Sequence, residues 1–172
     1  MALPRRGDSI FSNRGFTLIE LLIVCGIIGV IAAMCVSYLV RARLAANEAS
    51  AIGTLKAVNS AQAAYSSACG KNAYAPTFAR LVTGGFGSPD LNLASKSGYT
   101  FVMTAGTGGA GVPDCAAQPT QTAYYVTGLP VSAMSTGRRG FATNMGGTIW
   151  QDDAGAAPPE PFVVGGTVRP IQ

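Results

Sequence analysis

The residue with the most distinctive chemistry in this sequence is Glu20, which is the only charged residue in the apolar run from Phe16 to Val40. A carboxylate inside a membrane helix costs on the order of 2.5–3.5 kcal/mol, so a carboxylate retained there predicts a function. The alternative is a carboxylate that reaches the membrane interface and needs no partner. We therefore take the run around Glu20 as the first candidate site.

Composition limits the chemistry that the rest of the chain can do. The chain contains no histidine, which removes the commonest general acid–base residue and a major ligand of transition metals. Catalysis by carboxylates or lysine remains open. We expect the protein not to be an enzyme, and we expect no cofactor and no metal site.

The charge distribution points to a basic N-terminus and not to nucleic acid. The net charge is +4, and residues 1–15 contribute half of that excess through Arg5, Arg6 and Arg14 against Asp8. The remaining residues hold nine basic and seven acidic side chains, which is no electrostatic footprint for nucleic acid. The one basic pair further along, Arg138 and Arg139, is interpreted as a solvated strand edge.

Two further sequence patterns match known ligand-binding motifs only in part. Residues 106–111 match the glycine spacing of a dinucleotide-binding loop, but Pro113 and Pro119 disfavour the helix that such a loop needs, so we expect a flexible loop. Asp152 and Asp153 are too few ligands for calcium and are interpreted as a solvated turn.

A basic leader and a small residue precede the apolar run. The sequence Arg14-Gly15-Phe16-Thr17-Leu18-Ile19-Glu20 places glycine between the basic residues and the apolar helix. A cleaved secretory signal has a shorter apolar core of 7–15 residues. A run of this length can instead cross a bilayer as a helix.

This segment, continuing through Leu21-Leu22-Ile23-Val24 and Ile27-Ile28-Gly29-Val30-Ile31-Ala32-Ala33, resembles the cleavage and methylation signature of type IV prepilins and type II secretion pseudopilins. The resemblance covers about the first quarter of the chain. It implies cleavage after Gly15 on the cytoplasmic side and methylation of the new amine on Phe16. It also implies that Glu20 pairs with the Phe16 amine of a neighbouring subunit, which would relieve two buried charges together.

The resemblance also implies a set of partners and a location. The expected partners are further copies of this chain in a helical filament, a prepilin peptidase that also methylates, an inner-membrane assembly platform with its ATPase, and membrane lipid before assembly. No nucleic acid is expected. The subunit is expected to lie in the inner membrane as a single-pass protein with its leader in the cytoplasm, and afterwards in a cell-surface or periplasm-spanning filament.

Small residues recur four apart along one face of the apolar helix, at Cys25, Gly29, Ala33 and Ser37. Such a face allows helices to approach closely in lipid. The alternative is coincidence in an alanine-rich helix. Many family members have proline where this chain has Ser37, so helix melting at that proline is not expected here.

The helix is expected to continue beyond the membrane as an amphipathic segment. A stripe recurs at helical spacing and ends just before Gly70, a plausible C-cap; its members are Leu44, Ala51, Leu55, Val58, Gln62, Tyr65 and Cys69. We therefore divide the chain into a leader at 1–15, a transmembrane and assembly helix at 16–40, the amphipathic half of the same helix at 41–69, and a head at 70–172.

The head is expected to be a small antiparallel sheet of three or four strands packed on the helix. This makes the chain an α+β protein with the pilin fold. Strands are predicted at Tyr99–Thr104, Thr122–Gly128, Gly140–Asn144 and Thr148–Gln151, with a hairpin turn at 145–147 and a short helix near 78–82. The proline-containing tail from 152 to 172 is expected to be an extended surface segment and not part of the core.

The four cysteines fall into two pairs. Cys25 and Cys35 lie in the apolar run and are interpreted as small apolar residues. Cys69 and Cys115 would face an oxidising compartment in an exported chain, so a disulfide between them is predicted, with two free thiols as the alternative.

The first functional hypothesis is a structural subunit of a type IV pilus, serving adhesion, motility or surface contact. The alternative within the family is the major pseudopilin of a type II secretion system, which shares the same leader. A disulfide favours the pilus, and a calcium site would favour the pseudopilin. Outside these two, a DNA-uptake minor pilin and a membrane-anchored enzyme remain as less favoured hypotheses.

Overall fold

The computed structural model describes residues 15–93 and 95–171. The predicted leader therefore lies outside the described residues except for Gly15. The chain divides into two compact units, the first ending at Leu39 and the second beginning at Val40.

Two helices, one short 3₁₀ turn and six strands make up the described chain. In chain order they are α1 (Leu18–Ala68), α2 (Phe78–Thr83), the 3₁₀ turn (Pro89–Asn92), β1 (Ser95–Lys96), β2 (Tyr99–Thr104), β3 (Tyr125–Pro130), β4 (Gly140–Asn144), β5 (Ile149–Asp152) and β6 (Val168–Pro170). The helix α1 ends one residue before the predicted bound of 69 and begins two residues after the predicted bound of 16.

The six strands form one antiparallel sheet in which each strand pairs with the next along the chain. The α+β class, with a long helix and an antiparallel sheet, is confirmed. The sheet has more strands than the predicted three or four because two short strands, β1 and β6, extend its edges.

Strand β3 begins later than predicted because the residues before it pair elsewhere. The Gln121 amide and carbonyl bond to Tyr74 over 3.0 and 2.8 Å, and the Thr122 amide donates to the Gly109 carbonyl over 2.9 Å. These bonds hold the chain away from the β2 edge until Tyr125. Strands β2 and β4 match their predicted bounds, and β5 is shifted by one residue.

The core of the second unit lies between the predicted stripe of α1 and the sheet. The stripe residues from Ala51 to Cys69 are buried, while Leu44 is only half-buried. Against them pack buried side chains of the sheet, mainly Tyr99, Val126 and Phe141. Burying large apolar side chains in this way contributes on the order of 1.5–3 kcal/mol each.

The first unit has no such partner among the described residues. Its apolar side chains on α1 are exposed, from Phe16 to Leu39, and an 18-residue window of the helix reaches a mean hydropathy of 2.7 with none of it buried. By length and composition this helix can cross a membrane.

The C-terminal tail departs from its prediction. Pro158 is fully buried, Phe162 stacks on Trp150 with ring centroids 5.2 Å apart, and β6 pairs with β5. The prolines did not exclude the tail from the sheet because β6 is an edge strand, where a missing N–H donor is tolerated.

Candidate processing and assembly site

The start of α1 is built by Thr17. Its side-chain oxygen accepts a hydrogen bond from the Glu20 amide over 3.2 Å, and its carbonyl accepts one from the Leu21 amide over 3.2 Å. Thr17 is thus the N-cap, and Glu20 occupies the third helical position of a Thr-x-x-Glu capping pattern. Thr17 was not predicted as the N-cap, although the Thr-x-x-Glu spacing is visible in the sequence.

The predicted cleavage site lies just before this cap. Gly15 and Phe16 are exposed and precede the helix, and the Phe16 side chain is 73% exposed. A Cβ added to Gly15 would meet no atom within 4 Å. The described fold therefore does not need glycine at this position, and cleavage after Gly15 stays a prediction.

Glu20 lies on the exposed first turn of α1, four residues after Phe16. The expected pairing of Glu20 with Phe16 joins two subunits, so one chain cannot contain it, and it stays a prediction. The helix N-terminus also favours a negative charge in this turn.

The predicted helix-packing face lies in the same helix. Cys25, Gly29 and Ala33 are exposed, and Ser37 lies within α1. A Cβ at Gly29 would meet no atom within 4 Å. Packing of this face against another helix stays a prediction.

The predicted disulfide is present. Cys69 and Cys115 are bonded, with their Cα atoms 4.8 Å apart, and the Cys115 amide donates to the Cys69 carbonyl over 2.9 Å. The bridge ties the end of α1 to the loop before β3.

A buried carboxylate beside this bridge was not predicted. Asp114 Oδ2 accepts from Tyr65 Oη over 2.7 Å and from Arg80 Nε over 3.0 Å, while Oδ1 accepts from the amides of Ala116 and Gln118. Burial raises the pKa of Asp114, but these hydrogen bonds outweigh burial and hold its pKa well below the ordinary range. The bond to the second amide along the chain is an Asx turn, the only signal for this residue in the sequence.

A second buried carboxylate, Glu48, was not predicted, although it lies between the stripe residues Leu44 and Ala51. Glu48 Oε1 accepts from the amides of Arg138 and Arg139 over 2.9 and 3.2 Å, and Oε2 accepts from Arg139 Nε over 2.8 Å. The interpretation of this arginine pair as a solvated edge is wrong for Arg139, which is half-buried and also donates to Gln151.

The glycine-rich loop serves packing in this structure. A Cβ on Gly108 would lie 2.4 Å from the Ala123 amide nitrogen, and one on Gly111 would lie 2.4 Å from Thr120 Oγ1. Gly106 has a positive φ of 59°. Within the described residues no helix follows the loop, so the absence of a dinucleotide-binding helix agrees with the prediction, while flexibility of the loop stays a prediction.

The acidic pair at the end of β5 is also engaged within the chain. Asp152 is buried and accepts from the Ala154 amide, whereas Asp153 pairs with Arg169 over 2.8 Å. Because Asp152 is buried, the expected solvated turn is wrong for this residue. Asp153 is half-buried.

The described structure is an α+β protein, consistent with the pilin fold, whose exposed N-terminal helix is capped by Thr17 and carries Glu20 in its first turn, five residues after Gly15. The family model of the prokaryotic N-terminal methylation motif matches residues 10–36. The chain therefore carries the prepilin signature of type IV pilins and pseudopilins. Comparison with curated proteins and with solved structures found no match.

Proposed function

We propose that this chain is a structural subunit of a type IV pilus and not an enzyme. The observation that carries the proposal is the methylation motif at residues 10–36 on a helix whose apolar side chains have no partner among the described residues. Such a surface is stable in lipid or against other copies of itself. The Cys69–Cys115 disulfide supports a head that lies in an oxidising compartment, as an exported subunit does.

The mechanism follows from the order of the parts. The chain inserts with its basic leader in the cytoplasm, in line with the positive-inside rule. A prepilin peptidase cuts after Gly15 and methylates Phe16. An ATP-driven platform then lifts the subunit into the filament, where the apolar helices bundle and Glu20 pairs with the Phe16 amine of a neighbour.

Mass spectrometry of filaments sheared from intact cells tests this proposal. We expect abundant chain that begins at N-methylated Phe16. Processed chain found only in the cell envelope would favour the pseudopilin or a minor pilin, including one that takes up DNA. A chain that keeps residues 1–15 would overturn the proposal.

A further inference from the structure

The excess positive charge of the second unit comes from a few arginines. From Val40 onward the chain holds nine basic and six acidic residues, a net charge of +3. Seven of these fifteen account for the whole excess, and the other eight cancel. We call the seven the arginine collar: Arg41, Arg43, Arg138, Arg139, Arg169, Glu48 and Asp153.

A cleft forms the centre of the collar. It has a volume of about 380 Å³ and is lined by every residue of the collar except Arg41 and Arg43. Both acids in it are already neutralised, since Glu48 pairs with Arg139 and Asp153 pairs with Arg169. The Arg138 side chain is exposed and makes no ion pair with any described residue, which leaves its charge available to an anion.

Arg41 precedes this cleft along α1. It precedes Leu44 by three residues and Glu48 by seven, so it continues the face of α1 that packs on the sheet. The seven residues from Arg41 to Glu48 span about 10 Å of helix. The side chains of Arg41 and of an arginine in the cleft can together cover this distance. Arg41 and Arg43 are both exposed.

The position of the collar along the chain indicates what it meets. The apolar run from Phe16 to Val40 is about 37 Å long as a helix, somewhat more than the hydrocarbon thickness of about 30 Å. Arg41 follows the last residue of this run directly. The collar therefore begins at the level of the lipid headgroups, on the side of the membrane opposite to the leader.

The charges elsewhere in the second unit argue against a second copy of this chain as the occupant. Its remaining acids are Asp90, Asp114, Asp152 and Glu160. Asp90 and Asp114 pair with Lys96 and Arg80, and Asp152 is buried. Among the described residues of the head this leaves Glu160, which is partly exposed and accepts only from Asn144, as the one acid for a neighbour, too little charge for the five arginines of a collar.

We infer that the arginine collar binds the phosphate groups of anionic phospholipids while the subunit waits in the membrane. Guanidinium groups suit this role because they donate in a planar fork that matches phosphate oxygens. The inference rests on the proposed membrane-inserted subunit. It adds a contact that holds the head against the bilayer and must be released when the subunit enters a filament.

Native mass spectrometry of the full chain in nanodiscs tests the inference, with phosphatidylcholine and phosphatidylglycerol in equal amounts. The variant is Arg41→Gln with Arg138→Gln, and the matched control is Lys56→Gln with Lys71→Gln, which removes the same charge from two exposed lysines outside the collar. We expect the wild type and the control to retain phosphatidylglycerol in preference to phosphatidylcholine, and each arginine removed to lower that preference by about fivefold.

Three results would overturn the inference. One is no lipid preference in the wild type, and another is an equal loss in the lysine control, which would indicate general attraction by net charge. The third is unchanged lipid retention in the arginine variant together with weaker binding of a short DNA duplex, which would assign the collar to nucleic acid.

Two controls keep the test separate from folding and from the proposed function. Trp150 fluorescence reports whether the head of each variant is folded. If the double variant is unfolded, Arg41→Gln alone replaces it, because Arg41 does not line the cleft. Cleavage after Gly15 in cells is scored separately. Uncleaved wild-type chain that still selects phosphatidylglycerol would contradict the pilus proposal but would still support lipid binding by the collar.

Discussion

Glu48 of α1 forms an ion pair with Arg139, the residue just before β4, in which Arg139 Nε and Nη2 both donate to Glu48 Oε2 over 2.8 and 2.5 Å. The other carboxylate oxygen accepts from the amides of Arg138 and Arg139. One carboxylate thus satisfies four donors and fixes the loop before β4 to the helix. Its side chain is only 9% exposed, so water does not replace these bonds.

The first prediction concerns Glu48→Gln. The amide keeps the size of the side chain but turns one acceptor into a donor that faces other donors. We expect the free energy of unfolding of the head to fall by about 1.5–3 kcal/mol, the contribution of hydrogen bonds to a charged group. Urea unfolding of the full chain in detergent, followed by Trp150 fluorescence, measures this change.

The matched control is Asp90→Asn, which breaks the exposed ion pair with Lys96. Exposed pairs contribute little to stability, so we expect a much smaller change. Equal effects of the two substitutions would contradict the role given to the Glu48 bonds.

The second prediction concerns acid. Burial opposes ionisation of Glu48 and Asp114, but hydrogen bonds outweigh it and the pKa of each carboxyl is lowered from the ordinary values of 4.5 and 3.8. A group with a lowered pKa in the folded state stabilises the fold at neutral pH and loses that contribution as the pH falls below its ordinary value. We expect the urea midpoint to fall between pH 5 and pH 3, and to fall less in Asp114→Asn. An acid response of that variant as steep as that of the wild type would count against the assignment.

The third prediction concerns the disulfide. The bridge closes a loop with a sequence separation of 46 residues, for which loop-closure entropy gives a stabilisation of up to ~4 kcal/mol. We expect Cys69→Ala with Cys115→Ala to lower the free energy of unfolding by about 2–4 kcal/mol. Cys25→Ala with Cys35→Ala is the control, because these cysteines are free and exposed on the apolar helix. A loss of head stability in the control alone would refute the role of the bridge.

The fourth prediction separates the two interpretations of the glycine-rich loop. A methyl group at Gly108 would meet the Ala123 backbone, whereas one at Gly109 meets nothing within 4 Å. We expect Gly108→Ala to destabilise the head by about 1–3 kcal/mol and Gly109→Ala to leave it nearly unchanged. Binding of a dinucleotide by the wild type that Gly108→Ala abolishes without loss of stability would contradict this packing role.

The regular elements were predictable because their signals are local. The stripe from Ala51 to Cys69 follows helical periodicity, and β2 and β4 are short runs of apolar and β-branched or aromatic residues bounded by turn residues. The methylation motif is likewise a contiguous segment, and the match to residues 10–36 agrees with the resemblance found in the sequence.

The polar contacts were not predictable in the same way, because their partners are distant in sequence. Arg80 and Asp114 are 34 residues apart, and Glu48 is 91 residues from Arg139. A buried carboxylate breaks an apolar stripe without showing which cation will neutralise it. Strand β6 was missed for another reason: its prolines favour an extended tail unless a sheet edge is known to lie beside it.

The last prediction concerns Glu20→Ala, at the only charged residue of the apolar run. The substitution removes a charge from an apolar helix, so membrane insertion should be as good or better, and cleavage after Gly15 should persist because Gly15 and Phe16 are unchanged. Assembly should fail, since the Phe16 amine of each neighbour would be buried without its counter-charge, a loss of about 3–5 kcal/mol at every contact. We expect processed chain in the membrane and few filaments by electron microscopy. Leu21→Ala, which removes apolar bulk at the next position, should still give filaments. A normal filament yield from Glu20→Ala would show that assembly does not need the carboxylate.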